Sequence, residues 1–300
     1  MIKKVILPLI ILALALTSCA DPNAGSGVPT FFKDTKEVSV GEYHTAAIKN
    51  DGTLWTWGSS NGCGVLGDGT TFDIDTPVQV GVDRDWIAVS AGVNHTVAIR
   101  EDADGNRTLW AWGLNTYGRL GDGTTTDRYS PVQVRIDAST FFKDVKTVSA
   151  GNAHTVAIKN DGTIWAWGYN GEGQLGDGTT TNRSNPAQVK IDASTFFKDV
   201  KTVSAGWYHT VAIKNDGTIW AWGYNEYGQL GNGKSGVDEY SNFPVKIGDR
   251  WKAVSTMNYH TAAIRDDGVL WTWGYNYYGQ LGDATMENRS TPVRVILSDW

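Results

Sequence analysis

Residues 137–170 read DASTFFKDVKTVSAGNAHTVAIKNDGTIWAWGYN, and residues 192–225 read DASTFFKDVKTVSAGWYHTVAIKNDGTIWAWGYN. The two stretches lie 55 residues apart and agree at 32 of 34 positions. Their two differences are adjacent, Asn152-Ala153 against Trp207-Tyr208. Self-similarity at this period means that one supersecondary unit is built several times, each copy burying its apolar face against the next. All five histidines of the chain fall at one repeat position, His44, His95, His154, His209 and His260, spaced 51, 59, 55 and 51 residues, and each is followed by Thr. An inserted EDADGN tip (101–106) and the DASTFF linker account for the longest interval.

Each copy also carries a Trp-small-Trp-Gly signature, which takes up ten of the fourteen tryptophans. In the two best-matched copies these are Trp165 and Trp167, and Trp220 and Trp222. HTVAIKN alternates and is rich in β-branched residues, and TIWAWG alternates with both indoles on one face. Asn-Asp-Gly between them marks a tight hairpin. KTVSAG and PVQV supply two more short strands, so a copy holds four strands and no helical period. That describes one propeller blade. The small residue between the indoles leaves room on the opposite face for a neighbouring blade.

VSAGxxHTVAI, DGTIWAWG, GQLGDGT and PVQV, recurring in that order in five copies over residues 30–300, resemble the repeats of the regulator of chromosome condensation family. Kelch blades carry a diglycine and WD-repeat blades a Trp-Asp dipeptide, and neither occurs here. The resemblance implies an all-β β-propeller. That family usually has seven blades, whereas five four-stranded blades are counted here, a number from which a ring can close. The repeats begin at FFKDTKEVSVG (31–41) and stop at PVRVILSDW, with Trp300 aligned to Trp86 and Trp251. This phase predicts closure by pairing of the N- and C-terminal strands in one blade. Copy five departs locally, with Met257 where the others have Gly41, Gly92, Gly151 and Gly206.

Residues 1–18 read as a bacterial lipoprotein signal peptide: Lys3 and Lys4, an apolar run of twelve residues, then Leu16-Thr17-Ser18-Cys19. The run is too short to span a bilayer. The LTSC ending resembles a lipobox, so Cys19 is the expected lipidation site. Residues 19–29 then comprise the lipidated Cys and a flexible tether, and Ala20 suits outer-membrane sorting in a Gram-negative cell. The expected location is therefore extracytoplasmic, at a membrane through the lipid anchor. With Cys19 used, Cys63 alone remains, so no intrachain disulfide forms. Beyond the signal, 24 basic residues face 32 acidic ones, and nucleic acid is not an expected partner, because phosphate binding needs a basic face.

The repeated histidines invite a metal reading. Side chains at equivalent places in a ring meet only if they line its axis, so His44, His95, His154, His209 and His260 are read as structural imidazoles bonded to backbone between neighbouring elements. The Asp-Gly pairs have the spacing of hairpin turns, and Asp102-Ala103-Asp104-Gly105-Asn106 is missing the later carboxylate of a calcium loop. No nucleophile elbow, phosphate-cradling glycine loop or metal quartet is present. No catalytic residue, metal or cofactor is therefore assigned, and the chain is expected not to be an enzyme.

The unique residues are aromatic and sit at strand ends. They are the pairs before each His-Thr and before each Gly-x-Leu-Gly turn. The candidate binding residues are Tyr43, Tyr117, Trp207, Tyr208, Tyr227, Tyr259, Tyr277 and Tyr278, with acidic residues nearby and an unusual insertion, GKSGVDEYSNF, in copy four. Exposed aromatics mark contact sites. A protein-binding module without catalytic activity is the first expectation, strengthened by similarity to secreted bacterial propellers that inhibit β-lactamases. Carbohydrate binding or action on the cell wall is the alternative. Nucleotide exchange on a small GTPase, implied by the family name, conflicts with export. Ultraviolet sensing, implied by the plant photoreceptor of this fold, relies on Gly-Trp-Arg-His-Thr repeats, and Gly206-Trp207-Tyr208-His209-Thr210 lacks the arginine.

Overall fold

A computed structural model describes residues 31–297. The expected signal segment, Cys19, the tether and Trp300 lie outside them. The described residues form five antiparallel sheets of four strands, each cut from consecutive chain. Blade 1 comprises β1 (Thr35–Val40), β2 (His44–Lys49), β3 (Leu54–Gly58) and β4 (Ile74–Gln79). Blade 2 comprises β5 (Trp86–Ala91), β6 (His95–Glu101), β7 (Arg107–Gly113) and β8 (Arg128–Gln133). Blade 3 comprises β9 (Val145–Ala150), β10 (His154–Lys159), β11 (Ile164–Gly168) and β12 (Arg183–Gln188). Blade 4 comprises β13 (Val200–Ala205), β14 (His209–Lys214), β15 (Ile219–Tyr224) and β16 (Tyr240–Gly248), and blade 5 comprises β17 (Trp251–Met257), β18 (His260–Arg265), β19 (Leu270–Gly274) and β20 (Arg289–Arg294).

The Asp-Gly pairs make the hairpins. In blade 3, Asp161 Oδ1 accepts from both the backbone N–H (2.9 Å) and the hydroxyl (2.7 Å) of Thr163. That hydroxyl in turn accepts from Trp165 Nε1 at 3.1 Å. Turn and first indole are locked by one carboxylate, which leaves that oxygen no free role in chemistry. The EDADGN tip behaves likewise, since Asp102 Oδ1 accepts from the N–H groups of Asp104 and Asn106.

The cores lie between blades rather than within them. Ala46, Ile48, Leu54 and Val80 of blade 1 meet Trp86, Val89, Ala98 and Trp112 of blade 2. Val97, Ile99, Leu109 and Val134 meet Phe142, Val145, Ala157 and Trp167 in the same way, and the pattern continues to blade 5. In blades 2 to 5 the second indole of the pair is the wedge. Trp167 and Trp222 are fully buried, whereas Trp165 and Trp220 are half-buried. Each wedge rests on the glycine of the preceding blade's Leu-Gly turn: a Cβ on Gly121 would stand 2.6 Å from Trp167 Nε1, and one on Gly176 2.7 Å from Trp222 Nε1. The small residue between the indoles, Ala111, Ala166 or Ala221, is fully buried on the other face, as its size predicts.

The expected blade shared between the chain's two ends is not formed by the described residues. β1 pairs with β2 alone and β20 with β19 alone. The reason is phase: one repeat already supplies all four strands, so none is left over to donate. The two outer faces also differ from their internal counterparts. Leu54 and Leu109 are 0% exposed, but the equivalent Leu270 is 41% exposed and Ile264 37%. Val89 is 6% exposed, against 52% for Val38 of β1. Val254, Ala262, Ile264 and Leu270 line an apolar depression of about 160 Å³ on blade 5.

Leu109→Ala should therefore cost about 2–5 kcal/mol of unfolding free energy, as a buried leucine does, and Leu270→Ala less than about 1 kcal/mol. Denaturant unfolding of both variants checks this. Equal costs would mean that another surface covers Leu270.

Candidate functional site, an aromatic rim

The repeated histidines join blades. His44 Nε2 lies 2.7 Å from Thr96 Oγ1, His95 Nε2 2.8 Å from Thr155, His154 Nε2 3.0 Å from Thr210, and His209 Nε2 3.1 Å from Thr261, in every case the threonine of the next blade. Each threonine hydroxyl donates back to a carbonyl of the preceding blade: Thr96 to Val65, Thr155 to Arg119, Thr210 to Gln174, Thr261 to Gln229. Since the hydroxyl proton is spent on the carbonyl, its oxygen accepts, and the imidazole is neutral with its proton on Nε2. Nδ1 of all four rings is buried without a partner. The expected backbone partner is thus reached through a hydroxyl. Among the described residues, no group of three or more His, Cys, Asp or Glu side chains is placed to share a metal ion.

This relay explains why, in blades 2 to 4, only two residues vary ahead of each His-Thr. The imidazole packs on the glycine three positions earlier: a Cβ on Gly41 would stand 2.7 Å from His44 Cε1, and one on Gly206 2.5 Å from His209 Cε1. Glycine and His-Thr are both pinned; the two residues between them lie at the rim, where Val93 and Ala153 are buried, Trp207 and Tyr208 half-buried and Tyr43 exposed. Met257 replaces that glycine in blade 5, where His260 is half-buried and faces no next-blade threonine among the described residues.

Trp207 and Tyr208 start from this rim and are half-buried. Their rings pack edge-on at 6.4 Å, and Trp207 packs on Tyr259 at 5.4 Å. Tyr208 meets Tyr224 at 6.3 Å, Tyr259 at 6.2 Å and, on blade 3, Tyr169 at 5.7 Å. The series runs on through Tyr227 to Tyr275 (5.0 Å), Tyr275 to Tyr277 (6.4 Å) and Tyr277 to Tyr278 (5.0 Å). At the other end Tyr169 meets Tyr117 at 4.9 Å. Tyr117 is held at φ 68°, a left-handed conformation that costs an ordinary side chain roughly 1 kcal/mol or more. The small pair of blade 3 completes the fit, with Asn152 Nδ2 3.5 Å from the Tyr208 hydroxyl.

Seven of the eight expected aromatics thus form one belt across blades 2 to 5. Tyr43 on blade 1 is exposed and has no place in the belt's ring contacts. Sequence reasoning missed Tyr169, Tyr224 and Tyr275, which recur after Trp-Gly in three copies and pass for framework. The signal was there, since copies one and two have Ser59 and Leu114 at that place. Beside Tyr227 and Tyr259, a cavity of about 410 Å³ is lined also by Asn258, His260, Tyr275, Tyr278 and Gln280.

Carboxylates stand among the rings. Glu226 accepts a short hydrogen bond from the Tyr224 hydroxyl, and burial with this carboxylate drives the Tyr224 phenol upward. Burial, then Tyr208, Tyr227, Glu226 and Glu172, push Tyr259 up to about 12. Burial and the neighbouring charges of Asp238 and Glu226 raise Glu172.

Residues 18–255 match the RCC1-like domain, and residues 251–280 and 267–299 match the regulator of chromosome condensation (RCC1) repeat. The chain belongs to the RCC1-like family. Its sequence is similar to the ultraviolet-B receptor UVR8 of Arabidopsis thaliana, 32% identical over 263 residues that cover 86% of this chain and 57% of UVR8. It is also 30% identical over 274 residues to the human E3 ubiquitin-protein ligase HERC2, covering 89% of this chain and 5% of HERC2. The fold is similar to that of human WBSCR16, with a TM-score of 0.73 at 20% identity, covering 88% of this chain and 67% of that one. Yeast Prp20p gives a TM-score of 0.55 at 17% identity, covering 88% and 77%. This RCC1-like chain therefore spans little more than half of UVR8 and a small part of HERC2.

The relay makes the RCC1-like array acid-sensitive. Burial lowers His44 to about 4 and His154 and His209 to about 3, and it holds His95 well below its usual value. The unfolded chain takes up protons near pH 6.5 that the folded chain refuses. Stability is therefore full above about 6.5 and falls on acidification by about 1.4 kcal/mol per pH unit for each imidazole. Buried Asp122 and Asp177 are lowered by their threonine and arginine partners and titrate below this window. The thermal midpoint should drop steadily from pH 6.5 to 4.5, and a flat profile would reject the neutral relay.

Proposed function

We propose that this RCC1-like propeller is a non-catalytic protein-binding module, exported and held to a membrane through a lipid on Cys19, with the aromatic rim as its contact face. One observation carries the reading: the belt from Tyr117 to Tyr278 is built at positions that blade packing leaves free. The pinned glycines, indoles and His-Thr pairs make the joint that recurs between successive blades, and the belt's ring contacts are an addition to it in blades 2 to 5. Tyrosine and tryptophan at a surface provide large contact area with two side-chain torsions each, the currency of protein interfaces. Solved relatives of this fold include yeast Prp20p, described with its binding to Gsp1p and histones, and a Kap60 complex of yeast RCC1, which supports a protein partner as the first reading. Half-exposed rings beside carboxylates also suit sugars, so a glycan is the second reading.

The duplicated blade supplies its own control. Trp207→Asn with Tyr208→Ala installs the pair that blade 3 carries. It should lower stability by no more than about 2 kcal/mol, the scale of a few edge-on ring contacts, while Trp222→Ala should cost about 3–5 kcal/mol. Affinity for a partner isolated from membrane extract should fall by at least about tenfold, since central aromatics carry interface energy. Unchanged affinity removes the rim as the contact face, and capture of glycans by an array assigns the face to the second reading.

A further inference from the structure

The rim's charge narrows what it takes. Glu172 lies in the field of both Glu226 and Asp238 and beside Tyr169; Glu226 meets the Tyr224 hydroxyl, and both glutamates act on Tyr259. None of these three carboxylates forms an ion pair with a Lys or Arg among the described residues; the cation of that loop, Lys234, reaches Glu239 at 3.8 Å. No Lys or Arg lines the tyrosine-walled cavity. The segments that carry the rim are held from below. Gln174 Oε1 accepts from the Glu172 N–H, Gln229 Oε1 from the Tyr227 N–H and Gln280 Oε1 from the Tyr278 N–H, each at 3.0 Å, and Gln174 and Gln229 are fully buried.

At the blade 2 end the buried Arg119, whose guanidinium donates to the Thr116 and Asn152 carbonyls, stands in the field of Tyr117 and Tyr208; beyond it, around Tyr224 and Tyr259, carboxylates and π faces fixed in place before binding are complementary to organic cations. The Tyr224 hydroxyl satisfies one oxygen of Glu226, but the charges of Glu226 and Glu172 have no salt-bridge cation among the described residues. In blades 2, 3 and 5 the aspartate after the Leu-Gly turn is paired with arginine, Asp122 with Arg128, Asp177 with Arg183 and Asp283 with Arg289, at 2.6, 2.7 and 2.6 Å. Resting on the protein-binding reading above, we propose that the rim of blades 3 to 5 recognises lysine and arginine side chains on an extended basic segment of the partner. The cation would sit against the rings of Tyr208, Tyr224 and Tyr259, with Glu172 and Glu226 as counter-charges.

A fluorescent octapeptide of alternating arginine and glycine tests this, beside its citrulline counterpart, which keeps the shape and loses the charge. The arginine peptide should bind at least about tenfold more tightly, with affinity falling as salt rises. Glu172→Gln with Glu226→Gln should weaken it about tenfold without lowering the thermal midpoint. Asp137→Asn with Asp192→Asn, which removes two exposed carboxylates from linker turns outside the rim, should leave it unchanged. Equal binding of the two peptides, no binding of either, or indifference to the Glu172 and Glu226 changes overturns the proposal. If partner affinity is lost with Trp207→Asn/Tyr208→Ala but kept with Glu172→Gln/Glu226→Gln, the rim remains a contact face and its cationic preference is wrong. Loss of neither overturns both.

Discussion

The structure depends on one interface used four times, in which a flat aliphatic face of one blade receives the indole wedge of the next. Ile48 and Leu54 against Trp112, or Ile158 and Ile164 against Trp222, are the same contact at different places in the chain. Each wedge needs a glycine under it and a small residue beside it, and neither blade of a pair completes its core alone. Within this dry contact lies a single polar thread, imidazole to hydroxyl to carbonyl. A buried polar group is tolerated only when partnered, and the thread partners Nε2 while leaving Nδ1 bare. The bare nitrogen is also why protonation is resisted: a second N–H would enter the interface with nothing to accept it.

That interface sets where the repeats are free to differ. A glycine pinned by the imidazole and a His-Thr pinned by the relay leave two residues between them whose side chains take no part in the relay. The turn before Gly-x-Leu-Gly is free for the same reason. Diversity is therefore forced to one end of the blades, where separate changes come together in space. Asn152-Ala153 and Trp207-Tyr208 are not independent choices, since the small pair of blade 3 leaves the room into which Tyr208 leans. A belt of rings across blades 2 to 5 is the product, and carboxylates from the same loops give it a sign.

Blade identity, strand order, the wedging indoles and the structural part played by the histidines were all legible from local pattern, because turn chemistry, alternation and side-chain volume act over a few residues. Most of the rim was legible too, through the positions at which near-identical copies disagree. Tyr169, Tyr224 and Tyr275 were hidden because three matching copies imitate a framework residue. Tyr43 stands exposed at its rim position but joins no ring of the belt, because equivalent register does not ensure proximity: blade 1 lies at the edge of the array, and its neighbours in blade 2, Val93 and Asn94, carry no ring to meet it.

The linear chain by itself determined an all-β array of five four-stranded blades and the membership that follows from its motifs. Repeat, hairpin and wedge are short-range and survive any arrangement of the whole. Only the tertiary structure decided how the ends stand. Each blade closes upon its own four strands, so Val38 at one end and Ile264 and Leu270 at the other remain open among the described residues. It decided also which aromatics meet, because ring contact depends on curvature between blades, which no spacing of residues encodes. And it alone set the electrostatics of the rim, where Glu172 and Glu226 belong to different repeats and act on one tyrosine.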